Sequence, residues 1–169
     1  MGDGGDAAGG RGDGGGVADS DADRLRLLLD AMLGKLATYL RMCGYDAAYA
    51  LDRDVEADER LLDVVEREGR LLLTRDRQLA SRAGDSLLLT EREVTDQLRE
   101  LRAAGFALEL DDAPTYCGRC NGPVDAVAAA DPRPEYAPDD GPVWQCRDCG
   151  QFFWKGSHWD DVRERLENL

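Results

Sequence analysis

The sequence predicts an α/β fold: a three-layer domain on a mostly parallel sheet, followed by a small four-cysteine zinc ribbon. Three observations predict it. Between residues 24 and 113, short aliphatic runs alternate with segments of helical period, which is how strands and crossover helices of a parallel sheet read. Two Cys-x-x-C pairs, Cys117/Cys120 and Cys146/Cys149, follow with 25 residues between them, in a stretch that holds all six prolines. The chain has 169 residues, enough for one core and one small module at roughly 100–200 residues per domain.

Taken in order, residues 1–23 contain nine Gly and six Asp and almost nothing apolar. Such a segment cannot bury enough surface to offset its conformational entropy, so a disordered tail is expected. Leu25 to Leu29 is a nearly continuous aliphatic run, as in a strand covered on both faces. Leu33, Leu36, Ala37 and Leu40 recur at helical spacing, and Gly44 stands where a C-terminal cap belongs. Tyr45 to Ala50 reads as a weaker strand. Asp58 opens a helix with Leu61, Leu62 and Val65 inward, which Gly69 closes. Leu71 to Thr74 is a strand, Asp76 to about Ala83 a short helix, and Ser86 to Leu89 a further strand. A helix carrying Val94, Leu98 and Leu101 ends at Gly105. The division expected is thus 1–23 tail, 24–113 α/β domain and 114–169 ribbon with a C-terminal helix, Ser157 to Leu169, that Ser157 could cap.

Charge excludes some functions. With 35 acids against 21 bases the net charge is -14, which is unlike an ordinary basic nucleic-acid binder. No apolar run approaches the roughly 18 residues of a membrane span, and no apolar stretch follows Met1 as in a secretory signal. A soluble cytoplasmic protein is expected. Of the acids 24 are Asp, and Lys35 and Lys155 are the only lysines. This bias resembles the surfaces of proteins from salt-loving, archaeal-type microbes, where carboxylates hold water and ions.

The two Cys-x-x-C pairs are the strongest signal. Each brings two thiolates to one tetrahedral ion, and two pairs complete a closed structural zinc site. Iron in the same four sulfurs and disulfides are the other readings, the latter opposed by a fifth cysteine, Cys43, and a cytosolic setting. Cys43 reads as a small buried hydrophobe. The only histidine, His158, reads as a packing or hydrogen-bonding group rather than a ligand. With one histidine, His-dependent triads are nearly ruled out.

Carboxylates mark a second site. Asp30 directly follows the first strand and Asp76 lies two residues past Leu71–Thr74, and ligands of open parallel sheets bind beyond the carboxyl ends of strands. Asp58 begins the helix that leads into the latter strand, so it starts at the same edge, where it serves equally well as an N-cap. Three clustered Asp would favour Mg²⁺ or Mn²⁺ and metal-assisted phosphodiester hydrolysis. Gly34-Lys35 lacks the other residues of a phosphate loop.

The stretches Leu28-Leu-Asp30-Ala-Met-Leu-Gly-Lys-Leu-Ala-Thr-Tyr-Leu-Arg-Met-Cys-Gly-Tyr45, Asp58-Glu-Arg-Leu-Leu, Glu68-Gly-Arg-Leu-Leu-Leu-Thr-Arg-Asp76, the four cysteines and Trp154-Lys-Gly-Ser-His-Trp159 closely resemble, in order, the Mut-seven C-terminal RNase domain family. The resemblance implies a PIN-like α/β fold with a zinc ribbon and metal-dependent ribonuclease activity on RNA. It implies Asp30, Asp76 and Asp58 as acidic site residues binding Mg or Mn, Thr74 as a residue orienting Asp76 or its water, and Lys35 and Arg75 as phosphate contacts. A fourth acid, common in the wider PIN family, has three possible matches: Glu59, Glu91 and Asp54. A non-catalytic adaptor that binds RNA or protein on the same scaffold is the alternative.

Overall fold

A computed structural model of the chain describes residues 25–169. The segment expected to be a tail, with Arg24, lies outside the described residues. Strands β1 (Leu27–Leu29), β2 (Ala47–Tyr49), β3 (Leu71–Thr74) and β4 (Ser86–Leu88) form one sheet in the order β2-β1-β3-β4. Every pairing is parallel, with Leu27 opposite Ala47 on one side and Leu71 on the other. Helices α1 (Gly34–Met42), α2 (Asp58–Glu68), α3 (Arg77–Arg82) and α4 (Val94–Ala103) connect or follow the strands.

The unbroken leucine run of β1 has a direct cause: both faces are covered. Leu27 and Leu29 pack into a cluster with Leu36 and Leu40 of α1 and Leu98 and Leu101 of α4. Leu28 faces the other way, onto Leu61 and Val65 of α2 and Leu79 of α3. The three layers are therefore α1/α4, sheet and α2/α3. Gly69 caps α2 at φ 62°, a left-handed turn that costs a residue with a side chain more. The expected elements differ from the observed ones by a few terminal residues. One difference is physical: the turn after Asp30 begins as a single 3-10 turn, Ala31–Leu33, before α1.

A second, antiparallel sheet consists of β5 (Val124–Ala126), β6 (Trp144–Cys146) and β7 (Phe152–Phe153); Cys146 ends β6, and the other three ribbon cysteines lie outside its strands. It docks on the first domain through its leading knuckle. The Gly118 carbonyl accepts from Arg41 Nη1 at 3.2 Å and Thr38 Oγ1 at 3.4 Å. The Asn121 side chain donates to Asp46 Oδ1 at 2.7 Å and accepts from the Ala47 amide at 3.0 Å, at the head of β2. Asp46 also holds Arg70 Nη1 at 2.8 Å, and Arg70 is only 3% exposed.

Helix α5 (Ser157–Glu167) follows the ribbon in sequence but packs with the first domain. Its Val162 and Leu166 join the cluster of α1 and α4, and Arg102 of α4 donates to the Leu166 carbonyl at 2.8 Å. Composition divides the chain near residue 113; packing returns its last helix to the α/β core. Ser157 does not cap this helix as expected, because Gly156 occupies the N-cap position and makes no side-chain bond.

Candidate functional site

All four strands run the same way, so their carboxyl ends share one edge. Chain order reverses between β1 and β3, whose next neighbours in sequence lie on opposite sides of β1. Loops diverge there and leave a crevice, the place where open α/β sheets bind ligands. Asp30 and Thr74-Arg75-Asp76 flank it.

Thr74 is fully buried at the end of β3, and its hydroxyl joins the two acids. It donates to Asp30 Oδ2 at 2.8 Å and accepts from the Asp76 amide at 3.0 Å. The other Asp30 oxygen accepts from the Ala31 amide at 2.7 Å. Asp30 is thereby fixed in one rotamer by two donors from different strands' ends. Asp76 is exposed and caps α3, with Oδ1 accepting from the Gln78 and Leu79 amides at 2.8 and 3.2 Å. Its second oxygen has no protein hydrogen bond among the described residues.

Asp58 stands apart from this pair. It is the first residue of α2, after Ala57 as N-cap, and its carboxylate faces Arg82 Nη1 at 3.6 Å. Arg82 ends α3, the helix that Asp76 begins, so about 9 Å of helix axis separates their positions along α3. Of the fourth-acid matches, Glu59 also pairs with Arg82, at 3.1 Å, while Asp54 sits in an exposed left-handed turn at φ 54°. Glu91 is exposed, and its amide is held by Glu100 at 3.3 Å. Among the described residues, the only group of three or more Asp, Glu, His or Cys whose ligand atoms all lie within 4.8 Å of one another is the four cysteines. The ligand atoms of the three aspartates therefore do not all lie within 4.8 Å of one another, and Asp58 faces Arg82.

The cations are better placed. Lys35 is exposed at the start of α1 and lines a cavity of about 360 Å³ with Ala31, Gly34 and Tyr49. Among the described residues it forms no ion pair. Arg75 follows Thr74, and its Nε is buried with no hydrogen-bond partner, a donor left to spare at the edge. Burial acts to raise the Glu100 carboxyl, but the Thr90 hydroxyl, the Thr90 and Glu91 amides and then the charge of Arg75 together hold it below the usual range.

Sequence reasoning missed two groups at this edge. Tyr49 ends β2, donates to the Ala31 carbonyl at 2.6 Å, and braces the turn that presents Asp30. Burial, then the charges of Asp52 and Asp30, push its phenol up. Glu93, which precedes α4, lines the same cavity. The signal was available for Tyr49: a polar tip on the last residue of a parallel strand.

In the ribbon, Cys117 and Cys149 Sγ lie 3.6 Å apart and Cys120 and Cys146 Sγ 3.5 Å apart. A disulfide needs about 2.05 Å. Four sulfurs about 2.3 Å from a tetrahedral zinc stand about 3.8 Å from one another, close to this spacing. The Gly122 and Asp148 amides donate to Cys120 and Cys146 Sγ, both at 3.4 Å, as suits thiolates. Burial pushes the Cys117 thiol up. It acts the same way on Cys146, where the Cys149 and Asp148 amides and neighbouring thiols outweigh it and hold the group down. The four-cysteine cluster can thus hold zinc. A Cβ at Gly122 would meet the Asp148 carboxylate at 2.6 Å, so a side chain there would require that exposed carboxylate to turn aside.

A family model, the Mut7-C RNAse domain, matches residues 25–166. No curated protein and no solved structure matches the chain. Among the described residues no helix is long and apolar enough to cross a membrane.

Proposed function

We propose that this chain, which belongs to the Mut7-C RNAse domain family, is a metal-dependent endoribonuclease whose site is the β1/β3 edge. The observation that carries the reading is the Thr74 hydroxyl joining the Asp30 carboxylate to the Asp76 backbone at the topological switch point. The donor set fits Mg²⁺ or Mn²⁺: hard carboxylate oxygens, few in number, one of them uncommitted, with room for water ligands. Asp30 and Asp76 would hold the ion, with Asp58 as a third ligand if its Arg82 pair opens. A bound ion would supply an activated water and stabilise charge on the phosphate.

The chain's own groups do the rest. Thr74 and the Ala31 amide occupy the inner lone pairs of Asp30 and keep its remaining lone pairs directed at the crevice. Lys35 and the Arg75 guanidinium flank the edge and would meet phosphate oxygens, cations being the groups that hold a backbone without reading its sequence. The ribbon from about residue 114, with structural zinc on its four cysteines, is the module that helps hold RNA.

The pairing of Asp58 with Arg82 favours one rival, a non-catalytic adaptor that binds RNA or protein without turnover. Incubation of purified protein with single-stranded and structured RNA, with Mn²⁺ or Mg²⁺, separates the two. Internal cleavage that disappears in Asp30→Asn and Asp76→Asn, and falls in Asp58→Asn, is the expected result. Absence of cleavage by the wild-type chain, or full activity in the first two variants, overturns the nuclease reading.

A further inference from the structure

An unfilled, mainly apolar space lies away from the acidic edge, between the ribbon, α1 and α5. It is a cavity of about 360 Å³ walled by Trp144, Phe153, Trp154 and Trp159, with Thr38 and Met42 of α1 along one side. Protein interiors rarely leave voids much larger than a water molecule. Four aromatic rings that merely filled a small core would close on one another; these enclose an open space. The polar side chains at its wall are Thr38, Tyr116, Arg119, Gln151 and His158. An apolar pocket with a handful of placed donors and acceptors is the usual form of a small-ligand site.

Charge narrows the ligand. In a chain of net charge -14, most arginines described donate to a carboxylate or carbonyl; Arg119 is exposed and, like Arg60, Arg77 and Arg92, has neither among the described residues. Lys155, likewise without an ion pair there, stands 5.4 Å over the Trp159 ring. Aromatic walls beside unneutralised cations fit a flat ring attached to an anion. Tyr136 extends the surface outward: it is 67% exposed, and its ring lies 5.9 Å from that of Trp154.

The position relates the pocket to the acids. Lys35, Thr38 and Met42 fall at i, i+3 and i+7, one ridge of α1. Lys35 borders the cavity beside Ala31, and Met42 the aromatic one. About 10 Å of helix axis joins them, at 1.5 Å per residue, a length that a few unstacked nucleotides span.

We propose that this pocket takes a base of single-stranded RNA, with Arg119 and Lys155 on its phosphate and Tyr136 stacking on the neighbouring base, and so directs the strand along α1 toward Asp30. The proposal rests on the nuclease reading for the strand's destination only. A duplex does not fit, because its bases are not free to leave the stack.

The test is binding by the full chain without added Mg²⁺ or Mn²⁺, read as quenching of tryptophan fluorescence by short single-stranded RNA, with duplex RNA and an apolar peptide as the other probes. Tyr136→Ala and Arg119→Ala alter exposed side chains, so folding and zinc content are expected to match wild type. Stacking on an aromatic is worth enough that each single aromatic loss weakens binding about five- to hundred-fold. Trp159→Ala is expected to do the same. Equal affinity in all three variants, equal affinity for duplex, or saturable binding of the peptide but not RNA overturns the proposal. If RNA binds through the pocket and wild type cleaves nothing, the nuclease reading fails alone; if wild type cleaves and pocket variants keep its KM, the pocket fails alone.

Discussion

Thr74 has no exposed surface and two functional partners, so its hydroxyl is the most informative single atom of the edge. Thr74→Val keeps the shape and removes the link, leaving the Asp76 amide and Asp30 Oδ2 short of a partner. A lost partner for a buried polar group costs about 1–3 kcal/mol. Denaturant unfolding is expected to show that loss, and RNA cleavage a fall in kcat of at least tenfold with KM little changed. Thr74→Ser restores both; a Ser variant as poor as Val would show that the methyl, not the hydroxyl, matters. Asp30 and Asp76 were legible in the sequence because each follows a run of buried leucines that fixes where a parallel strand ends. Asp58 was legible as a helix start but not in its pairing. Its partner, Arg82, is 24 positions away and is brought near only by the packing of α2 beside α3.

At the scale of elements, the ribbon knuckle, β2 and β3 meet at Asp46. Burial acts to raise its carboxyl, and Arg70, Asn121 and Arg26 together hold it below the ordinary aspartate value. A depressed folded pKa stabilises the protein above the unfolded value, about 3.9, and that contribution is lost as pH falls through the folded one. Stability is therefore expected to drop below about pH 4 more steeply in wild type than in Asp46→Asn. At pH 7 the variant leaves Arg70 buried with Glu68 as its remaining carboxylate, at roughly 3 kcal/mol. Helix α5 supplies a second element-scale prediction. Leu166→Ala, though beyond the ribbon in sequence, is expected to destabilise the α/β core by about 2–5 kcal/mol, because its side chain is 2% exposed against that core. A loss confined to zinc affinity would contradict this placement. Strands and helices of the first domain were legible from period alone. The docking of α5 was not, since an amphipathic helix carries no record of which neighbour its apolar face meets.

For the whole molecule, the net charge of -14 bears on stability and on RNA together. Unbalanced carboxylates repel one another in dilute buffer and destabilise the compact state. Between 0.1 and 1 M salt the Debye length shrinks from about 10 to about 3 Å, so Tm is expected to rise with KCl; each kcal/mol of relieved repulsion is worth about 2–4 °C at this chain length. A Tm independent of KCl would remove the salt-adapted reading of the surface. The same field sets the form of RNA binding. An ordinary basic binder loses affinity steeply with salt because it releases a counterion for each phosphate it neutralises, with a slope of about -0.7 per contact on single strands. Here the cations placed along the inferred strand path are Lys35, Arg75, Arg119 and Lys155, so the slope of log K against log[KCl] should be no steeper than about -3. Stacking in the aromatic pocket, which salt does not screen, must then carry most of the affinity. A slope near -5 would mean that RNA lies on some other, more basic surface, and would move the strand off α1 altogether.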